Sequence, residues 1–301
     1  MVTERWSVVT RGCAVVATHL IRLLGTVRSV DCTIDDIAVH YVERGAGPAL
    51  VALHGAGVDH REIEAAAEDF LPEQFPAGEC APDQGLRLIF PDLPGMGRTR
   101  ATDRLAGNDD VVSLLGTLIE RLVDGPALVL GHSYGGYLAR GLAARRPDLV
   151  LGLALVCPIG EHTGAVPQQI AVRVDPDAYD DLEPEQRPGF DDYFVVRTAR
   201  TARRYRDHVV PGTALVDESA LGRIVGNWAI DLGTQTFDKP TLIVAGRRDS
   251  TAGYRSAIDL HEQYPRATLA VLDNAGHALP HEQPELLRSL VADWVRRTLR
   301  R

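Results

Sequence analysis

The chain has 301 residues, of which 45% are hydrophobic and 24% charged, with a formal net charge of -9 and a pI near 5.6. This length suits one large α/β domain or two small ones, and the apolar fraction is sufficient for a hydrophobic core. The negative charge argues against a nucleic-acid-binding protein, because binding phosphates requires a basic surface.

The N-terminal residues contain an apolar run at 12–25, which His19 and Arg22 interrupt. No small-residue cleavage site clearly follows this run, so we do not interpret it as a signal peptide. It is also too short and too polar to span a bilayer. We predict a helical N-terminal extension over residues 1–30.

Apolar runs rich in Val, Leu and Ile then alternate with helical patterns. From this alternation we predict one core domain that consists of residues 31–158 and 237–301. The predicted strands are 37–41, 49–53, 86–90, 127–130, 150–156, 241–245 and 268–272. The predicted helices are 60–70, 108–123, 135–146, 252–264 and 283–299. Several strands are apolar throughout, as strands buried on both faces of a parallel sheet are. The pattern predicts an α/β fold with a doubly wound, mostly parallel sheet.

Residues 159–236 interrupt this alternation. They contain no convincing buried strand, but they include acidic residues, several prolines and helical patches at 192–209 and 217–230. We predict that this segment is a helical insertion into the core domain.

A sharp turn is predicted where the strand 127–130 meets the next helix. Residues 131–135, GHSYG, match the pattern G-x-S-x-G, in which a strained turn projects the serine hydroxyl clear of the sheet. The bare pattern also fits an ordinary glycine-rich turn. The strand before it and the helix after it favour a nucleophilic role for Ser133.

A serine nucleophile needs a base and a group that orients the base. Asp249 and His277 each follow a predicted strand, where open α/β sheets collect functional groups. The alternative interpretation of Asp249 is a cap for the helix that begins near Thr251, and we favour the catalytic role. Asp273 is the alternative acid and His281 the alternative base, but we favour Asp249 and His277.

The oxyanion that forms during attack on a carbonyl needs hydrogen-bond donors. The strand 49–53 ends at His54-Gly-Ala-Gly57, a turn with exposed amides. We predict the backbone N–H groups of Ala56 and Tyr134 as the donor pair. His54 itself is either a second base or a structural hydrogen-bonding residue, and we favour the second interpretation.

Five motifs in this order resemble those of the α/β-hydrolase fold superfamily: HGAG at 54–57, PDLPGMGRT at 91–99, GHSYGG at 131–136, GRRD at 246–249 and NAGH at 274–277. The resemblance extends from about residue 35 to the end of the chain. It implies that residues 159–236 are a lid or cap inserted after the sixth strand, and that Ser133, Asp249 and His277 are the catalytic residues. Residues 1–30 lie outside the common core of that superfamily.

Related families differ from this chain at particular positions. Haloalkane dehalogenases and epoxide hydrolases usually carry an aspartate nucleophile, whereas this chain has Ser133. Carbon-carbon bond hydrolases commonly have a tryptophan after the catalytic histidine, where this chain has Ala278. Proline iminopeptidases usually have a tryptophan in the turn, where this chain has Tyr134.

We therefore predict a serine hydrolase that cleaves a carboxylic ester or lactone of a small to medium apolar substrate through an acyl-enzyme. The alternatives are hydrolysis of a carbon-carbon bond in a vinylogous diketone and, less favoured, an aminopeptidase. A ligand-binding protein without activity is the non-enzymatic alternative, against which the intact Ser, Asp and His argue. Substrate-pocket candidates are Tyr134, Phe190, Tyr193, Phe194 and Trp228.

The four cysteines lie far apart and include no CxxC pair, which predicts neither a zinc site nor a disulfide framework. We expect a cytoplasmic enzyme that needs no metal or organic cofactor. Its partner is a small ester-like molecule, with no nucleic acid and no stable membrane insertion. A homodimer is compatible with the sequence.

Overall fold

The computed structural model describes residues 27–71, 85–160, 166–233 and 236–300. Most of the predicted N-terminal helical extension, residues 1–26, lies outside these described ranges. Residues 28–30, at the end of that extension, belong to a strand and not to a helix. The prediction was wrong at these residues because they pair with the next strand along the chain.

The strands are β1 (Arg28–Ile34), β2 (Ile37–Gly45), β3 (Ala49–Leu53), β4 (Arg87–Pro91), β5 (Ala127–His132), β6 (Val150–Val156), β7 (Arg173–Val174), β8 (Val196–Arg197), β9 (Thr241–Gly246) and β10 (Ala267–Leu272). Eight of them form one sheet in the order β1-β2-β4-β3-β5-β6-β9-β10, while the short β7 and β8 pair separately. In the large sheet β2 runs antiparallel to β1 and β4, and the pairs from β4 to β10 are parallel. The predicted mostly parallel sheet is confirmed.

The helices are α1 (His60–Phe70), α2 (Asn108–Leu122), α3 (Tyr134–Arg145), α4 (Arg187–Tyr193), α5 (Ala199–Arg204), α6 (Val210–Thr213), α7 (Glu218–Gly226), α8 (Tyr254–Gln263), α9 (Leu279–Glu282) and α10 (Pro284–Leu299). Side chains of α2, α3 and α8 pack on one face of the sheet, among them Leu115, Leu142 and Leu260. Side chains of α1 and α10, such as Phe70 and Trp294, pack on the other face. Helices on both faces bury strands completely, and every residue of β3, β5 and β9 is buried.

The part of the chain between β6 and β9, which we call the inserted segment, contains the helices α4 to α7 and the short strands β7 and β8. A 3-10 turn at Pro184–Gln186 and a π-helical turn at Tyr205–Val209 complete its described elements. The helical patch predicted at 192–209 is interrupted by β8, which pairs with β7. The function of this segment as a lid stays a prediction. Within the described residues, no helix combines the length and apolar character that crossing a membrane requires.

Candidate active site

The turn between β5 and α3 consists of Ser133 alone, which has φ 54° and ψ -116°. A positive φ is uncommon for a residue other than glycine, and such strain persists only where the surroundings impose it. Here the neighbours impose it through close backbone packing. A Cβ atom on Gly131 would overlap the carbonyl of Gly135, and one on Gly135 would overlap the carbonyl of Leu53. The turn therefore requires glycine on both sides of the serine.

Ser133, His277 and Asp249 form one chain of hydrogen bonds. The Ser133 Oγ atom lies 2.9 Å from Nε2 of His277. The other ring nitrogen, Nδ1, lies 3.1 Å and 3.0 Å from the two carboxylate oxygens of Asp249. All three side chains are buried, with Asp249 completely enclosed. The loops after β5, β9 and β10 thus bring these residues together at the carboxyl edge of the sheet, where open α/β sheets bind ligands.

Asp249 also caps the chain that follows β9. Its Oδ1 atom accepts hydrogen bonds from the backbone N–H groups of Thr251 and Ala252, both at 2.9 Å. Burial alone raises the pKa of Asp249, but His277 and the two amides outweigh burial and hold the pKa at about 2. The carboxylate is therefore ionised at neutral pH, and the capping and orienting interpretations of Asp249 are compatible.

The alternative acid and base lie elsewhere. The Asp273 side chain is 73% exposed and lies 3.9 Å from Arg247. His281 is buried, and its Nε2 atom lies 3.2 Å from Oε1 of Glu62. Their positions favour Asp249 and His277 over these alternatives.

The HGAG turn after β3 passes beside the serine. A Cβ atom on Gly55 would lie 3.4 Å from Cβ of Ser133 and 3.8 Å from its Oγ. Ala56 follows directly and is exposed. Tyr134 is the first residue of α3, and the first amides of a helix have no acceptor within the helix. The oxyanion-binding role of Ala56 and Tyr134 stays a prediction.

His54 acts inside this turn as a hydrogen-bonding residue. Its Nε2 atom accepts the backbone N–H of Leu93 at 2.9 Å, so Nδ1 carries the hydrogen and donates to the Gly55 carbonyl at 2.7 Å. Burial lowers the pKa of His54, which keeps the ring neutral. These contacts favour the structural interpretation of His54 over a second catalytic base.

Two pocket candidates, Tyr134 and Trp228, belong to an aromatic group that α3 forms with Trp228. The Tyr134 hydroxyl donates to the side-chain oxygen of Asn108 at 2.6 Å. The Trp228 ring is stacked on Tyr137, with ring centroids 4.9 Å apart, and lies 6.0 Å from the Tyr134 ring. Their function as pocket walls stays a prediction.

The other three candidates, Phe190, Tyr193 and Phe194, belong to α4 and its end. Phe190 and Phe194 are fully buried in a small hydrophobic cluster that the inserted segment forms with Ala278, and their ring centroids are 5.0 Å apart. The Tyr193 ring instead meets His277 edge-on at 6.3 Å. Tyr193 thus contacts the candidate catalytic histidine, and the function of all three residues as pocket walls stays a prediction.

Sequence reasoning missed the buried acid Glu282. Its Oε1 atom accepts the backbone N–H groups of Val195 at 2.7 Å and Val196 at 3.0 Å, and Oε2 accepts that of Gly276 at 2.6 Å. Burial raises the pKa of Glu282 to about 7, although the three amides oppose this shift. This side chain ties the inserted segment to the loop that carries His277. Because its partners are backbone amides, no residue type in the sequence could have indicated it.

Two groups of side chains among the described residues have the composition of a metal site. His40, His60 and Asp92 form one group, and Cys157 joins Asp249 and His277 in the other. Both groups contain an internal carboxylate–histidine contact, at 2.7 Å between His60 and Asp92 and at 3.0 Å between His277 and Asp249. The same atoms thus serve as hydrogen-bond partners, and we assign no metal to either group.

Comparison with known proteins finds one family model, described as the alpha/beta hydrolase family, that matches residues 50–290. Among solved structures, an alpha/beta superfamily hydrolase from Oenococcus oeni superposes with a TM-score of 0.73 at 22% identity, covering 86% of this chain and 96% of that one.

Two curated relatives are similar over most of their length. The (E)-2-((N-methylformamido)methylene)succinate hydrolase of Acinetobacter baylyi is 24% identical, over 86% of this chain and 94% of its own. The 2-hydroxymuconate semialdehyde hydrolase of a Pseudomonas species is 25% identical, over 84% of this chain and 88% of its own. Both relatives are named as hydrolases, but their names give different substrates.

Proposed function

The chain belongs to the alpha/beta hydrolase family, and on that premise we propose that it cleaves a carboxylic ester or lactone of a small to medium apolar substrate through an acyl-enzyme on Ser133. The observation that carries this proposal is the hydrogen-bond chain from Ser133 through His277 to Asp249. A serine hydroxyl is a weak nucleophile until an adjacent base removes its proton, and in this hydrogen-bond chain we propose His277 as that base.

In the proposed cycle, Nε2 of His277 takes the proton from Ser133 Oγ as the oxygen attacks the substrate carbonyl. Nδ1–H of His277 donates to ionised Asp249, which fixes the ring in the tautomer that leaves Nε2 free to accept. His277 then protonates the leaving alcohol. A water molecule that the same histidine activates releases the acid.

The amides of Ala56 and Tyr134 are the proposed donors to the oxyanion of the tetrahedral intermediate. The approach of the Gly55 turn to Ser133 and the position of Tyr134 at the start of α3 support this assignment. Removing one such donor from an enzyme costs about 3 kcal/mol of transition-state stabilisation. The inserted segment would cover the site, with Tyr193 as the pocket wall against His277.

Hydrolysis of a carbon-carbon bond is the second candidate, and the similarity to 2-hydroxymuconate semialdehyde hydrolase supports it. The residue after His277 argues for the ester, because Ala278 replaces the tryptophan common in carbon-carbon bond hydrolases. Acidic residues of the inserted segment that already pair with arginines give no support to the aminopeptidase alternative. Asp175 is one of them, and it lies 2.7 Å from Arg173.

A substrate panel separates these candidates. Purified protein is assayed on p-nitrophenyl esters of increasing acyl length, on lactones and on a vinylogous diketone, with Ser133→Ala as the control. We expect ester or lactone turnover that requires Ser133 and exceeds cleavage of the diketone. Faster cleavage of the diketone would contradict the ester assignment, and equal turnover by Ser133→Ala would contradict the role of the serine.

A further inference from the structure

Glu62 is a fully buried carboxylate on α1 that the proposed reaction does not use. Its Oε1 atom lies 3.3 Å from Nδ1 of His132, 3.2 Å from Nε2 of His281 and 3.1 Å from the hydroxyl of Tyr193. Those three side chains come from β5, α9 and α4. A buried charge without partners is strongly unfavourable. The three polar groups that meet at this oxygen therefore compensate for the burial of Glu62.

The protons of His132 follow from its two neighbours. Its Nε2 atom lies 3.0 Å from the backbone carbonyl oxygen of His277. A carbonyl oxygen can only accept, so Nε2 carries a hydrogen. Nδ1 faces the carboxylate of Glu62 in a close charge contact that is not a well-aligned hydrogen bond. A neutral His132 would point the Nδ1 lone pair at that carboxylate, whereas a doubly protonated ring gives each acceptor a hydrogen.

The charges around His132 agree with this assignment. Burial alone lowers the pKa of His132, but the Glu62 carboxylate and the His277 carbonyl outweigh burial and raise it. Burial likewise raises the pKa of Glu62, yet His132 and His281 hold it well below its ordinary value. Asp249, from the loop after β9, also favours the charged ring of His132.

Glu62 and His132 are connected to the candidate active site at two points. His132 immediately precedes Ser133 and holds the backbone of His277, and the two histidine rings are 5.1 Å apart. Tyr193 donates to Glu62 and also packs edge-on against the His277 ring. A change at Glu62 would therefore reach His277 through its backbone and through its ring.

We propose that Glu62 and protonated His132 form a buried ion pair behind the nucleophile, and that Glu62 is a positioning residue that holds His277 at hydrogen-bond distance from Ser133. The positioning role rests on the proposed function, since it presumes that His277 is the base. The charge state of His132 does not depend on that function.

Nuclear magnetic resonance tests the ion pair directly. Histidine is labelled with ¹⁵N, and the His132 ring signals are assigned by their loss in His132→Gln. We expect both ring nitrogens of His132 to carry hydrogen at pH 6.5, the ordinary pKa of histidine, in the native chain and in Ser133→Ala. A His132 ring that mostly lacks one of its two hydrogens at pH 6.5 would overturn the ion pair, whether or not the protein hydrolyses esters.

Kinetics test the positioning role. Glu62→Gln keeps the size of the side chain and removes its charge, and we expect kcat for a p-nitrophenyl ester to fall about 10- to 100-fold, the range found for partners that orient metal-binding side chains. KM should change less than twofold. The matched control is Glu68→Gln on the same helix, whose side chain is 52% exposed and pairs with Arg204, and its kcat should stay unchanged.

A kcat of Glu62→Gln within twofold of the native value would overturn the positioning role, as would an equal loss in Glu68→Gln. If Glu62→Gln does not fold, the His132 signals of the native chain decide the ion pair, and His132→Gln replaces it in the kinetic test, where a kcat within twofold of the native value would overturn the positioning role. If the native chain hydrolyses no ester, the proposed function fails while the resonance experiment still decides the state of His132.

Discussion

Asp249 has more hydrogen-bond partners than an orienting acid needs. It accepts from the His277 ring and from the amides of Thr251 and Ala252. The same carboxylate thus fixes both the histidine and the chain after β9. This double use makes the charge of Asp249, and not merely its shape, important for the geometry of the site.

Replacing Asp249 by asparagine should reduce kcat for ester hydrolysis by about ten-thousand-fold, as in serine hydrolases with the same arrangement. The new side-chain oxygen can still accept from Thr251 and Ala252. Its NH₂ group would then face Nδ1 of His277, which places the ring hydrogen on Nε2 and prevents transfer from Ser133. Steady-state kinetics measure the loss.

The control for this substitution is Asp273→Asn, since the Asp273 side chain is exposed and lies in the loop after β10, away from the Asp249 contacts. Its kcat should stay within twofold of the native value. A loss below tenfold in Asp249→Asn would show that the carboxylate does not orient His277.

Residue chemistry made Ser133, Asp249 and His277 predictable, because each follows a strand and the pattern around the serine is distinctive. Glu62 was not predictable, because its partner His281 is 219 residues away in the chain. The only hint in the sequence is that Glu62 stands beside Ile63 on the apolar face of α1, which indicates a buried carboxylate but not its partners. Only the folded structure identifies what that face meets.

At the scale of elements, the turn from β5 to α3 depends on backbone packing that leaves no room for a side chain. Gly131→Ala should destabilise the protein by about 2 kcal/mol or more, because the added Cβ meets a backbone carbonyl that cannot move independently. Urea unfolding measures the change in the free energy of unfolding.

The matched control is Gly222→Ala in α7, where a Cβ atom would meet no other atom within 4 Å. Alanine is the better helix former, so this variant should be unchanged or more stable by up to about 1 kcal/mol. Equal destabilisation of both variants would contradict the packing explanation of the turn.

Asp92 joins the loop after β4 to the start of α1. It accepts from the backbone and the ring of His60 and from the backbone of Arg98. Burial alone raises its pKa, but these donors, His60 foremost, hold the pKa at about 2 instead of the ordinary 3.8. A depressed carboxyl pKa stabilises the fold above pH 3.8, and this contribution is lost as the pH falls toward 2.

Asp92→Asn should therefore lower the free energy of unfolding by about 2 kcal/mol at pH 7, from the size of that pKa shift. The difference from the native protein should shrink as the pH is lowered from 4 toward 2. Urea unfolding at several pH values measures it. A difference that stays constant over this range would exclude the ionised carboxylate as its source.

Elements differed in how well the sequence predicted them. The buried strands and the long helices have strong apolar patterns, and their positions agree closely with the structure. Strand β1 was missed because it is an edge strand whose first four residues are exposed. Its place in the sheet comes from pairing with β2, and that pairing leaves no apolar pattern in the sequence.

At the scale of the whole molecule, the sheet gathers residues that are distant in the chain. His277 lies 144 residues from Ser133, yet the order β5-β6-β9-β10 places their loops along one edge. The inserted segment reaches the same edge through Tyr193 and through the bonds of Glu282. The order of motifs predicted the fold and the three meeting side chains. No motif describes the surface between the core and the inserted segment, where we propose that the substrate binds.

Labelling with a fluorophosphonate tests whether Ser133 is an activated nucleophile. Native protein is treated at neutral pH and examined by intact mass and peptide mapping. We predict a single adduct on Ser133 that is absent from Ser133→Ala. No adduct on the native protein, or the same adduct on Ser133→Ala, would show that Ser133 is not an activated nucleophile.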